Sequence, residues 1–331
     1  MKQMENKIAT RRVFAVGETL LDIIFKNGKP VSSTPGGSML NTAVSLGRLG
    51  LDVQFISEYG NDMVGVLIDD FLRSNGVGTE YVCRYDNNPS SLALAFLDDT
   101  NNADYTFYKH YPEKRLDIDF PELNSNDIVL FGSFYGIDPK INTRLKPFLE
   151  QANEKQTLVI YDPNFRKAHL SEMDIYRPIM MENFARADIV KGSDEDFELI
   201  FGTKTVEEVW TNLTTPDVIA GLTCNPQMCD MLIYTANKAN VSLRMQNIDA
   251  SYSVPPITPI SAIGAGDSFN AGLIYGLISK GVDKGELLNM HFARRSAIIN
   301  SAIQFAGHVC MSYDNYISPE FAEKYKGFLK S

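Results

Sequence analysis

The sequence predicts an α/β fold: a doubly wound, mostly parallel sheet flanked by helices, with a small β-sheet flap or lid inserted early. Three observations carry this reading. Short apolar runs alternate with amphipathic stretches of helical length along most of the 331 residues, the pattern of strand–helix–strand units. The alternation breaks at 90–111, where two strand-like runs flank a polar turn. The balance of 44% hydrophobic and 22% charged residues is that of a packed chain rather than a disordered one.

Residues 1–12 read as a polar, frayed tail, and 13–331 as one domain. Val13-Phe14-Ala15-Val16 is an apolar strand ending at Gly17. Leu20 to Phe25 and Val31 to Thr34 flank Asn27-Gly28, a dipeptide that favours a tight hairpin turn. Residues 38–49 form an apolar-faced helix stopped by Gly50, followed by a strand at Val53 to Ile56 and a helix over 63–74. Leu92 to Leu97 and Tyr105 to Tyr108 make the hairpin of the flap, which takes in segments of about 20–35 and 90–111. Alternation resumes with Ile128 to Phe131, a helix over 140–153, and strands at Thr157 to Tyr161, Ile189-Val190, Val218-Ile219 and Met231 to Tyr234. The stretches 267–280 and 285–305 are helical.

A net charge of −10 makes nucleic acid and anionic membrane poor partners. No apolar run approaches the length of a membrane span, and the N-terminus lacks the apolar stretch of a signal peptide. Cys83, Cys224, Cys229 and Cys310 form no paired pattern and read as reduced thiols. The expectation is a soluble, cytoplasmic protein.

The chemistry concentrates in Gly264-Ala265-Gly266-Asp267, which opens an apolar helix. Glycines permit a left-handed turn and close backbone approach. The first N–H groups of a helix lack internal partners and can hold a phosphate. A carboxylate there, Asp267, can accept the proton of an attacking hydroxyl. Alone, this run reads first as a glycine turn with an acidic cap.

Its context is more specific. Ile263 to Gly272 resembles the carboxy-terminal signature of the ribokinase-like (PfkB) carbohydrate kinases. Gly36-Gly37-Ser38-Met39-Leu40-Asn41-Thr42-Ala43, followed by Leu46-Gly47-Arg48-Leu49-Gly50, resembles the amino-terminal one, and Gly60-Asn61-Asp62-Met63-Val64-Gly65 the next segment. The resemblance runs in family order over about 13–310. It implies ATP and Mg²⁺ as cofactors, Asp267 as base, and Gly264, Ala265 and Gly266 as the anion-holding loop. It implies that Asp22, Gly36, Gly37 and Asn41 contact the sugar.

Tyr161-Asp162-Pro163-Asn164-Phe165-Arg166 and Thr106-Phe107-Tyr108-Lys109 resemble runs of the fructokinase-like branch. Asn164, Arg166, Tyr108 and Lys109 are then substrate contacts, and fructose is the leading substrate. 2-Keto-3-deoxygluconate, ribose or a nucleoside are alternatives. A homodimer through the lid follows from the same resemblance.

The nucleotide side departs from the family. Ser193-Asp194-Glu195-Asp196 stands where an Asn-x-x-Glu run is usual, assigning Ser193 to the nucleotide and Glu195 and Asp196 to the metal through water. Asn225-Pro226-Gln227 replaces a glycine-containing loop, leaving Asn225 and Gln227, with Gly264 and Gly266, as nucleotide contacts. Ser261 replaces an Asp associated with a monovalent cation, which argues against K⁺ activation. These losses keep open a different class, a catalytically weak sugar-binding regulatory protein. A thermal shift with sugar but none with Mg-ATP distinguishes it.

Overall fold

A computed structural model describes residues 11–98, 103–215, 229–236 and 240–329. The predicted strand at Val218-Ile219, together with Asn225, Gln227 and Cys224, lies outside these residues. Arg11 and Arg12, read from the sequence as part of the tail, belong to the folded body. Arg12 opens the first strand and pairs with Asp127 at 2.6 Å. Arg11 is buried, its Nη1 donating to the Val282 carbonyl at 2.6 Å.

The central sheet contains ten strands. They are β1 (Arg12–Val16), β4 (Asp52–Gly60), β5 (Val77–Gly78), β6 (Val82–Tyr85), β9 (Ile128–Gly132), β10 (Leu158–Asp162), β11 (Ile189–Ser193), β12 (Met231–Ala236), β13 (Asn240–Met245) and β14 (Ile248–Ser253). Their order is β14-β13-β12-β11-β10-β9-β1-β4-β5, with β6 also on β4. All pairs are parallel except the terminal β12-β13-β14 ribbon. That antiparallel ribbon, absent from the sequence reading, follows the alternation Val241, Leu243, Met245 on its buried face.

Both faces of the sheet are covered, as a parallel sheet requires. One face packs α1 (Ser38–Arg48), α2 (Met63–Ser74), α8 (Ala265–Ser279), α10 (Phe292–Val309) and α11 (Pro319–Leu329). The other packs α3 (Ser133–Ile137), α4 (Pro139–Glu154), α5 (Met173–Arg186), α6 (Asp194–Phe201) and α7 (Val206–Thr214). The helix expected over 285–305 is two pieces, α9 (Lys284–Leu287) and α10. The chain turns at 288–291, where His291 caps α10 by accepting from the Arg294 N–H.

The lid is a separate four-stranded sheet in the order β3-β2-β7-β8, from β2 (Leu20–Lys26), β3 (Lys29–Gly36), β7 (Leu92–Leu97) and β8 (Ala103–Tyr108). Asn27 and Gly28 take positive φ of 53° and 71°, as a two-residue hairpin turn demands. Among the described residues no helix is long and apolar enough to cross a membrane.

Candidate active site

The site lies at the carboxyl end of the central strands, where ligands of open α/β sheets bind. Gly264 caps α8 in a left-handed conformation, φ 77°, and a Cβ there would meet the Asn315 carbonyl oxygen at 2.5 Å. Only glycine fits both demands. The Ala265 N–H turns back to the Ala262 carbonyl at 3.3 Å, whereas those of Gly266 and Asp267 have no protein acceptor among the described residues. The turn therefore offers two unengaged donors, the N–H groups of Gly266 and Asp267.

Asp267 is fixed from the opposite helix. Ser38 Oγ donates to its Oδ1 at 2.6 Å and Asn41 Nδ2 to its Oδ2 at 2.8 Å. Thr42 Oγ1 donates to its backbone carbonyl at 2.9 Å. Asn41 is thus first a holder of the Asp267 carboxylate. Its Oδ1 is buried without a partner, leaving an acceptor for a ligand hydroxyl beside Asp267. Burial pushes the Asp267 carboxyl upward, and nearby Asp162 adds to this; Asn41, Ser38 and Lys191 oppose it. A base raised in this way is a stronger proton acceptor.

Asp22 sits in β2, and burial pushes its carboxyl up to about 6. A Cβ on Gly36 would lie 2.0 Å from its Oδ2, so the glycine makes the room that the carboxylate occupies. Gly37, φ 136°, joins β3 directly to α1, and a Cβ there would be 2.3 Å from the Glu18 carbonyl. The lid sheet and α1 meet at this point.

Strand register corrects the reading of the lid. Asp22 lies opposite Ala93, and Ala93 opposite Phe107; Ala95 lies opposite Tyr105. Directly paired residues share a face. Phe107 and Tyr105 therefore stand on the Asp22 side, stacked at 5.8 Å and 55% and 46% exposed. Tyr108 pairs with Leu92 and stands on the face opposite Asp22, apart from the substrate contacts it was grouped with in the sequence. Lys109 does reach the cleft, where its Nζ pairs with Glu18 at 2.8 Å and lies 5.3 Å from the Phe107 ring and 5.6 Å from that of Phe134. Tyr111 also donates to Glu18.

The Asp162-Pro163-Asn164 run makes a turn, with the Asn164 N–H donating to Asp162 Oδ1 at 3.2 Å and Asn164 at φ 38°. Arg166 is exposed and makes no ion pair among the described residues. Asp162 Oδ2 accepts from Lys191 Nζ at 2.8 Å and from Asn270 Nδ2 at 2.6 Å. Ser193 and Asp196 form a capping box on α6: Asp196 Oδ2 accepts from the Ser193 N–H at 2.8 Å and Oγ at 2.6 Å. That engagement explains the residue better than the metal role assigned from sequence. Glu195 is exposed beside it. Among the described residues, no group of three or more His, Cys, Asp or Glu is placed to hold a metal.

Beside Gly264, Ile260 and Ile263 are exposed, and the Ile260 and Ser261 N–H groups both donate to the Cys310 carbonyl, next to exposed Met311 and Tyr313. This apolar rim suits a nucleobase. Sequence reasoning missed it, as it missed Ser38, Glu18, Tyr105 and Lys191. Ser38 had a signal, lying inside the Gly36–Asn41 run; Lys191 had none beyond being a lysine in a buried strand.

Comparison with known proteins fits this geometry. The family model described as pfkB family carbohydrate kinase matches residues 10–290. A probable fructokinase-2 of Arabidopsis thaliana is 24% identical over 79% of this chain and 80% of its own length. A 5-dehydro-2-deoxygluconokinase of Clostridium botulinum is 27% identical over 74% and 72%. Aminoimidazole riboside kinase of Salmonella enterica, solved with aminoimidazole riboside and an ATP analogue, superposes with a TM-score of 0.76 at 19% identity, covering 96% of this chain and 99% of that one.

Proposed function

Because the chain belongs to the pfkB family of carbohydrate kinases, we propose that it transfers the γ-phosphoryl group of ATP to a primary hydroxyl of a small sugar, with fructose as the leading acceptor. The observation that carries the proposal is the first turn of α8. There the Asp267 carboxylate is held by Ser38 and Asn41 beside the unengaged N–H groups of Gly266 and Asp267. A hydroxyl reaching Asp267 delivers its proton to the carboxylate as its oxygen attacks phosphorus. The N–H groups and the helix dipole stabilise charge on the transferring group.

Asp22 and Asn41 Oδ1 accept from sugar hydroxyls and set which one faces Asp267. Glu18 and Lys109 tie the lid to the body over the substrate, and the closed lid keeps water from the phosphoryl group. Asn164 and Arg166, on the turn after β10, are assigned to the sugar as further contacts. The nucleobase lies against Ile260, Ile263 and Tyr313. Mg²⁺ is expected to arrive on the nucleotide phosphates. Asp162, Asp196 and Asp267 are engaged by Lys191, Ser193, Ser38 and Asn41, so the described carboxylates make no direct ligand set and no step is assigned to the ion. The outer face of the lid carries Phe25 stacked on exposed Phe96 at 5.0 Å, and β3 and β8 are its edges, which supports a homodimer through the lid.

One observation favours a second acceptor class. The Tyr105–Phe107 pair is an aromatic platform facing Asp22, suited to a riboside bearing a heteroaromatic base. The test is ADP release over fructose, ribose, 2-keto-3-deoxygluconate and an aminoimidazole riboside, with and without K⁺. The highest kcat/KM with fructose supports the proposal; the highest with the riboside replaces the substrate. No ADP with any acceptor, with a thermal shift for sugar and none for Mg-ATP, returns the protein to the class of sugar-binding regulators.

A further inference from the structure

Lys191 is a buried ammonium in the middle of β11, with its side chain 7% exposed. Its Nζ lies 2.8 Å from Asp162 Oδ2 and 3.1 Å from where a Cβ of Gly266 would stand. The charge therefore rests against the turn that carries Asp267. Three carboxylates act on its charge from three elements: Asp162 at the end of β10, in direct contact, and Asp196 on α6 and Asp267 on α8. No other lysine or arginine among the described residues forms an ion pair with any of the three. The remaining groups facing Asp267, Ser38 and Asn41 on α1, are neutral donors.

Three clustered carboxylates do not all ionise in a buried site without a cation. Burial alone draws the Lys191 ammonium down, yet the carboxylates outweigh it and hold it charged. An ion pair is also a poor device for merely fastening a helix to a sheet, since a well-packed apolar pair does so as well. What an apolar pair cannot do is supply positive charge where a base must stay ionised while phosphate oxygens approach.

We propose that Lys191 is a positioning residue for the transfer: its ammonium keeps Asp267 in the carboxylate form and the first turn of α8 receptive to an anion. It acts through Asp267 and Gly266 and does not touch the sugar. The inference rests on Asp267 being the base.

The experiment is the pH profile of kcat at saturating sugar and ATP, where Asp22 is covered by substrate, for the wild type, Lys191→Met, Lys191→Arg and Asp162→Asn. In Lys191→Met the acid limb moves up by at least about one pH unit, because Asp267 loses its cation. Sugar affinity by calorimetry stays within about twofold. In Lys191→Arg the limb stays in place. In Asp162→Asn it moves down, because a like charge leaves while the ammonium remains. A purely structural pair predicts that Lys191→Met and Asp162→Asn lower the melting temperature alike and leave both limbs unmoved; that result, or two shifts of the same sign, overturns the inference. If Lys191→Met does not fold, the fixed limb of Lys191→Arg and the downward limb of Asp162→Asn decide it. Asp267→Asn separates the two claims: turnover in that variant removes the base, whereas an inactive Asp267→Asn with unmoved limbs removes only the role of Lys191.

Discussion

The two walls of the cleft are built on different terms. On the body side Asp267 receives hydrogen bonds from Ser38 and Asn41, and Asp162 receives them from Lys191 and Asn270, so orientation is set before any ligand arrives. On the lid side Asp22 accepts no hydrogen bond among the described residues, and Tyr105 and Phe107 stand half exposed. Preorganised groups suit the chemical step, because fixed dipoles need no reorganisation when charge develops. Unsatisfied groups suit recognition, because the ligand itself completes them. On the proposed assignment, the reaction then sits on a rigid wall and the selectivity on an incomplete one.

The largest effect expected from breaking this comparison is on the body side. Asp267→Asn should lower kcat by at least about a hundredfold while calorimetry shows sugar binding intact; near-normal turnover removes the base assignment. Next is Asp22→Asn, which should raise the sugar KM about tenfold to a hundredfold and leave kcat within a few-fold.

The same residue sets a pH dependence. Its folded-state carboxyl is raised by burial to about 6, so sugar affinity should fall as pH drops through 6 in the wild type and stay flat in Asp22→Asn. The sign for stability is the reverse. A raised carboxyl favours the fold at low pH and loses that contribution as pH rises through about 6. At pH 7.5 Asp22→Asn should therefore melt a few degrees higher than the wild type. A lower melting temperature would falsify the view that Asp22 is an unsatisfied charge.

The smallest effect sharpens the lid itself. Phe107→Ala should raise the sugar KM several-fold, whereas Tyr108→Ala should change it less than about twofold, because strand register turns Tyr108 to the outer face. Equal effects of the two substitutions would show that the register is wrong.

These particulars show where the sequence was readable. The βαβ body was, because buried parallel strands leave continuous apolar runs such as Val13 to Val16 and Ile128 to Phe131. The glycine pattern around Asp267 and in the Gly36–Asn41 run was, because the positive φ of Gly264 against the Asn315 backbone and of Gly37 against the Glu18 carbonyl admits only glycine and so leaves a mark. Tyr105 against Tyr108 was not: alternation gives two faces but not which one meets the cleft, and that depends on pairing with β7. Asp196 could have been read better, since Ser193-x-x-Asp196 before an apolar stretch is a capping pattern. Lys191 was invisible, because its meaning comes from Asp162, Asp196 and Asp267, which are distant in sequence.

The junction of β3 and α1 has a mechanical consequence. A single residue, Gly37, separates the last lid strand from the helix whose Ser38 and Asn41 grip the base. The connection is one residue long, so one stretch of backbone sets both where the lid strand ends and where the first turn of α1 begins. A side-chain change on either wall stays with that wall, whereas a change in the Gly37 backbone reaches both at once.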